Sequence, residues 1–136
     1  MAKFTFEIDV YSDPICPWCY IGQETLDKAM ASYTAQHPDA EFKLTWKPYM
    51  LWPNVGVSAH DKGAALRAIY GPSTPSMLAR LDRLGAQYGI DFKWEGKTGN
   101  SRDAHKLILL AMEQDAAAAA TTPSPPEEPT TPPTPN

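Results

Sequence analysis

Phe4, Phe6, Ile8 and Val10 alternate with Thr5, Glu7, Asp9 and Tyr11. A period of two with one apolar side predicts a strand over residues 3–11, and Asp13-Pro14 ends it. From Cys16 to about Gln36 the spacing changes to steps of three and four through Cys19, Gly22, Leu26, Ala29, Met30 and Tyr33. That stripe predicts a helix with one buried face, Cys19 on it, stopped by His37-Pro38-Asp39. Residues 41–47 alternate again through Phe42, Leu44 and Trp46. Strand, long helix, strand is a βαβ unit, a parallel pair joined by a right-handed crossover.

After Pro53 the pattern is helical. Ser58, with Asp61 three residues on, resembles a capping box that opens a short helix to Tyr70, closed by Gly71-Pro72. Thr74-Pro75 opens a second helix with Met77, Leu81, Leu84 and Tyr88 on one face and Gly89-Ile90 as a Schellman-type stop. Asn100-Ser101 opens a third over residues 102–114. Its stripe of Ala104, Leu107, Ile108 and Ala111 is widened by Leu109, Leu110 and Met112, which predicts a helix buried between two layers. From Ala116 the chain is alanine-rich, then rich in proline and threonine to Asn136. Such a segment cannot bury apolar area, so residues 116–136 are expected to form a disordered tail behind one domain over 1–115.

A net charge of −4 and a pI near 5.3 give no reason to expect a nucleic acid or an anionic membrane as partner. Lys3, Glu7 and Asp9 interrupt any apolar leader, and no stretch approaches the roughly 18 apolar residues of a membrane span. The expected location is therefore cytoplasmic.

The chain has two cysteines, Cys16 and Cys19, at the junction of the first strand and the first helix. Cys16 falls near the N-cap and Pro17 suits the first helical position. Unpaired N–H groups and the helix dipole favour negative charge on Cys16, so its pKa is expected below that of a free thiol. Cys19 lies one turn further in, at a separation a disulfide tolerates. Cys16 is placed to attack and Cys19 to resolve. A closed zinc site would need four ligands, and His37, His60 and His105 stand in no paired spacing, so no metal is assigned. Two buried cysteines without reactivity are the remaining alternative.

Ser12-Asp13 followed by Cys16-Pro17-Trp18-Cys19-Tyr20-Ile21-Gly22 resembles the active-site signature of the DsbA-like thioredoxin superfamily. The FrnE-like branch is the most similar, with relatives among the 2-hydroxychromene-2-carboxylate isomerases and kappa-class glutathione transferases. Trp46 to Pro53, Tyr88 to Phe92, and Asn100 to Leu107 agree in order, so the resemblance spans residues from about 3 to 114. It implies an α/β fold, an incomplete thioredoxin-like one: a βαβ unit and a helical insertion, with the C-terminal ββα half and its cis proline absent. The chain thus reads as the N-terminal part of a longer enzyme. The apolar surface of 107–112 would then be open to self-association.

The resemblance also implies a thiol–disulfide oxidoreductase acting on a thiol- or disulfide-bearing protein or small molecule. The Cys16–Cys19 disulfide would be the redox group, and glutathione a co-substrate the resemblance allows. Pro17 and Trp18 would tune potential and access, Trp18 standing where more oxidising relatives carry histidine. Asn100 and His105 belong to a motif shared across the branches and are candidates for a substrate contact or a structural polar contact. Related proteins often place a buried carboxylate six residues before the first cysteine; here Val10 stands there. Two alternatives remain. One is a non-catalytic remnant or interaction module; the other is a glutathione-dependent isomerase or transferase, whose members usually carry serine in place of Cys16.

Overall fold

A computed structural model describes residues 4–114; the expected tail over 116–136 lies outside them. The alternating segments form strands β1 (Phe4–Ser12) and β2 (Ala40–Pro48), joined by helix α1 (Pro17–Gln36). β1 and β2 pair in parallel, with Phe6 opposite Phe42, Ile8 opposite Leu44 and Val10 opposite Trp46. In-register partners share a face, so one side of the pair is apolar and the other carries Thr5, Glu7, Asp9 and Tyr11. Phe6 stacks on Phe42 at 4.9 Å, and Tyr33 of α1 meets both rings edge-on at 5.5 and 5.9 Å. The predicted βαβ unit is there. Among the described residues no further strand pairs with the second edge of β1.

The inserted segment holds strand β3 (His60–Asp61), helix α2 (Lys62–Tyr70), a 3₁₀ turn (Gly71–Ser73), helix α3 (Thr74–Ala86), strand β4 (Lys97–Thr98) and helix α4 (Arg102–Gln114). The short strands β3 and β4 are antiparallel. Asp61, not Ser58, caps α2: its carboxylate accepts the Ala64 N–H at 2.7 Å, three residues on, as cap geometry requires. α3 ends as its Gly-Ile pair predicts. Gly89 sits at φ 72°, its N–H bonds Ala86 O at 3.2 Å, and the Ile90 N–H reaches back to Gly85 O at 3.0 Å, a Schellman motif.

The main core lies between α1 and α3. Ile21, Leu81 and Ile90 are its buried centre, with Trp18, Met77, Leu78, Leu84, Tyr88, Phe92 and Trp94 packed around them. Met77, Leu81, Leu84 and Tyr88 all contribute, as their spacing predicts. The stripe expected on α1 is not the one buried. Gly22, Ala29 and Tyr33 are exposed, Cys19, Leu26 and Met30 half-buried, and Ile21 is the buried residue of the helix. α1 instead turns Trp18, Ile21, Thr25 and Lys28 toward α3. Thr25 Oγ1 is hydrogen-bonded to the Tyr88 hydroxyl at 2.9 Å, and the Lys28 ammonium sits 4.2 Å over the Tyr88 ring. Half of that face is polar, so apolar periodicity alone does not mark it.

α4 departs from expectation in the same way. Ala104 and Ala111 are exposed, Leu107 is 68 % exposed, and Leu109 and Leu110 also face out. The inward positions are His105, which is buried, with Ile108 and Met112 half-buried. Among the described residues α4 is covered on one side only, and the side turned inward is set by a polar residue.

These packing differences have measurable consequences. Leu81 is 0 % exposed, so Leu81→Ala is expected to lower stability by about 2–5 kcal/mol. Leu107→Ala on exposed α4 should stay within about 0.5 kcal/mol. Urea denaturation of the two variants checks both, and similar losses for the two would place the core wrongly.

Candidate dithiol site

Cys16 is the N-cap of α1, with extended backbone at φ −94° and ψ 111°, and Pro17 follows in the first turn. Proline suits that position because its fixed φ fits the helix and its missing N–H would have no intrahelical acceptor. The Cys19 N–H donates to Cys16 O at 3.1 Å, so the second thiol lies one turn inside the first. Both cysteines are free and half-buried. The structure therefore brings the predicted pair together, with neither sulfur the markedly deeper one.

The expected acidity of Cys16 is not found. Burial, then the hydrogen bond to the neighbouring Cys19 thiol, pushes the Cys16 thiol up from 9.0 to about 11. The backbone N–H groups of Cys19 and Trp18 pull the other way and are outweighed. A helix N-terminus attracts negative charge, but Cys16 makes no side-chain cap hydrogen bond. Half-burial instead favours the protonated form of Cys16.

Three residues before Cys16 lies a residue that the sequence marked as a strand stop and as part of the signature, without a role of its own. Asp13 is 1 % exposed. Its Oδ1 accepts the Ile15 N–H at 3.3 Å, and its Oδ2 accepts the Leu51 N–H at 2.7 Å and the Ser101 hydroxyl at 3.1 Å. The Asp13 carbonyl accepts the Cys16 N–H at 3.0 Å. Carboxylate and carbonyl together fold residues 13–16 into the turn that delivers Cys16 to the helix start. His105 completes the cluster: its Nε2 lies 3.1 Å from Tyr49 O and 3.5 Å from Asp13 Oδ1. Both neighbours are acceptors, so Nε2 carries the ring proton. Nδ1 is buried without a hydrogen-bond partner, and the ring leans on Trp46 at 5.2 Å between centroids.

Cys16 and Pro17 open onto a groove of about 640 Å³, with Tyr20, Trp52, Phe92 and Trp94 among its walls. Asn100 lines it too. That side chain also ties loops together, its Nδ2 donating to Val55 O at 2.6 Å and its Oδ1 accepting the Arg102 N–H at 2.8 Å. Trp18 turns away toward α3, where the Arg80 guanidinium lies 5.4 Å from its ring centroid. His105 is behind the site, in the Asp13 cluster. Val10 is half-buried, so the buried carboxylate comes from Asp13, three residues before Cys16. The Ser-Asp-Pro run at a strand end was the signal that could have found it, since Asp in that setting commonly bonds the backbone two residues on. Among the described residues no group of three or more His, Cys, Asp or Glu could hold a metal ion.

Asp13→Ala leaves two N–H groups and a hydroxyl without their acceptor and is expected to lower stability by about 3–5 kcal/mol. His105→Gln, which keeps a donor near the Nε2 position, should cost only about 1–2 kcal/mol. Chemical denaturation of the reduced proteins checks both, and equal losses would remove the Nε2–H assignment. Only the thiolate alkylates, so the iodoacetamide rate at Cys16 should rise about tenfold per pH unit and level off near pH 11. Peptide mass spectrometry locates the label, and a midpoint below 9.0 would reverse the direction of the shift.

Comparison with known proteins agrees with this geometry. The DSBA-like thioredoxin domain model matches residues 7–124. Among solved structures, the crystal structure of a "probable DsbA oxidoreductase" from Streptomyces coelicolor superposes with a TM-score of 0.66 at 26% identity. The match covers 79% of this chain and 47% of that one, so the chain spans about half the length of its structural relative. No curated protein matches. The family overturns the cytoplasmic location expected from composition: its oxidoreductases are characteristically periplasmic or secreted, compartments in which disulfides persist. The βαβ unit with helices inserted after its second strand is a thioredoxin-like core carrying a Cys-x-x-Cys pair, and the chain belongs to the DSBA-like thioredoxin domain family.

Proposed function

We propose that the chain is a thiol–disulfide oxidoreductase of the DsbA type, in its FrnE-like branch, with Cys16 as nucleophile and Cys19 as resolving thiol. One observation carries the reading. Cys16 stands at the start of a helix and at the wall of an open groove, with Cys19 one turn behind and its N–H on the Cys16 carbonyl. Pro17 shares the groove wall and so bears on access; Trp18, packed on α3, acts through the position of the turn.

In the reducing direction, the Cys16 thiolate attacks one sulfur of a substrate disulfide. A Cys16–substrate bond forms, the substrate S–S bond breaks, and one substrate thiolate leaves. Cys19 then loses its proton to solvent and attacks the Cys16 sulfur. A Cys16–Cys19 bond forms and the second substrate thiolate leaves. Two electrons pass from the dithiol to the substrate, and the reverse sequence oxidises a substrate dithiol. The substrate is a thiol- or disulfide-bearing protein or small molecule, with glutathione available as co-substrate. The isomerase and transferase reading draws no support from this site, where cysteine stands in place of serine.

A second reading has its own observation. With Cys16 at about 11, roughly one molecule in ten thousand carries the thiolate at neutral pH. Such a site favours a slow dithiol that binds substrate without efficient turnover, an interaction module on an oxidoreductase scaffold.

Insulin reduction and a glutathione-coupled disulfide assay separate the two. On the enzymatic reading, Cys16→Ser falls to background, and Cys19→Ser accumulates a mixed disulfide at Cys16 that mass spectrometry weighs. Equal background rates for the parent chain and Cys16→Ser would leave only the binding module.

A further inference from the structure

The net charge of the chain is −4, yet the groove beside Cys16 is lined by three lysines, Lys62, Lys93 and Lys97, and one carboxylate, Asp91. Lys93 and Asp91 neutralise each other at 2.6 Å. The Lys62 ammonium donates to the Lys93 carbonyl at 2.8 Å, a contact that orients it without cancelling its charge. Lys97 is exposed; Asp61 stands opposite it in the β3–β4 pairing, its carboxylate turned to the Ala64 N–H, and no ion pair joins the two. Asp13 lies behind the site, fully occupied by its own donors. Two ammonium-bearing side chains outside any ion pair thus line the cavity that Cys16 also lines, against the single carboxylate of Asp61 beside them, while Tyr20 and Trp52 give it apolar walls.

We infer that the groove selects disulfides that carry a carboxylate beside the sulfur, in a small molecule or in an acidic peptide segment. The inference rests on the oxidoreductase reading and adds to it a substrate class. As the thiolate approaches the S–S bond, a substrate carboxylate is held by Lys62 and Lys97 while the attached carbons lie on the aromatic walls. The leaving thiolate is released into the same positive field. Exposed charges act through solvent, so the selection is screened as ionic strength rises.

Three small disulfides test it: 3,3′-dithiodipropionate (two negative charges), 2-hydroxyethyl disulfide (none) and cystamine (two positive). The rate at which each consumes the reduced Cys16 of the full chain is divided by its rate with 1-thioglycerol, a neutral thiol that none of the three disulfides contains, which removes intrinsic reactivity. The dianion is expected to gain about tenfold over the neutral disulfide at low salt and the dication to lose by a similar factor. Both effects should shrink toward one in 1 M salt. Lys97→Gln, at an exposed and unpaired position, should lower the dianion-to-neutral ratio about threefold, and the Lys62→Gln/Lys97→Gln pair should bring it near one.

A cystine peptide flanked by aspartates, set against its asparagine counterpart, distinguishes a peptide source from a small-molecule one; a gain in either arm carries the inference. Equal normalised rates for all charges, or a preference untouched by salt and by both lysine variants, would overturn it while leaving the oxidoreductase reading in place. Background rates with every disulfide would overturn that reading as well.

Discussion

The Asp13 carboxylate is the constraint on which the arrangement of this chain depends. It is almost fully buried, and its hydrogen-bond partners lie 2, 38 and 88 residues away. A buried carboxylate is costly unless its acceptor positions are filled. Filling them requires the loop after β1, the segment after β2 and the start of α4 to converge at one point. His105 braces the same point from α4 through its shared Nε2 proton. Few apolar side chains are fully buried among the described residues, and this polar cluster gives them a fixed centre next to the cysteine pair.

That centre also decides where Cys16 sits. The turn made by the Asp13 side chain and carbonyl ends at Cys16, and the helix behind it adds the positive end of its dipole. Two opposing influences then meet at one sulfur. Helix-start amides favour the thiolate; half-burial and the neighbouring thiol favour the protonated form and win. The consequence is a cysteine pair one turn apart in which Cys16 carries little thiolate at neutral pH. A high-pKa thiolate is a stronger nucleophile when it does form, so the position of the sulfur and its acidity contribute separately to any turnover.

The apolar surface is divided unevenly. α1 and α3 enclose a compact aromatic and aliphatic core, whereas Leu107, Leu109 and Leu110 of α4 remain exposed among the described residues. α4 is held to the rest through Ser101 and His105 bonding toward Asp13, with Ile108 and Met112 half-buried beside them. Its attachment is thus polar where its composition is apolar. Surfaces of that kind commonly meet another protein surface.

Much of this was legible along the chain. Alternation marked β1 and β2 but not the two-residue β3 and β4, proline and glycine marked the helix limits, and the spacing of Cys16 and Cys19 determined by itself that two thiols would stand one turn apart at a helix start. Those are local properties, set by backbone periodicity and cap chemistry within a few residues. What only the tertiary structure decided is which faces are buried and what surrounds the sulfurs. Ile21 is the buried residue of α1 and exposed Thr25 beside it bonds Tyr88 just past the end of α3, and the inward side of α4 follows His105 because Asp13 waits there. The groove lysines meet Cys16 only when β4 and α2 fold beside α1. Burial, pKa and charge at a site are sums over neighbours distant in sequence, and a linear pattern carries no term for them.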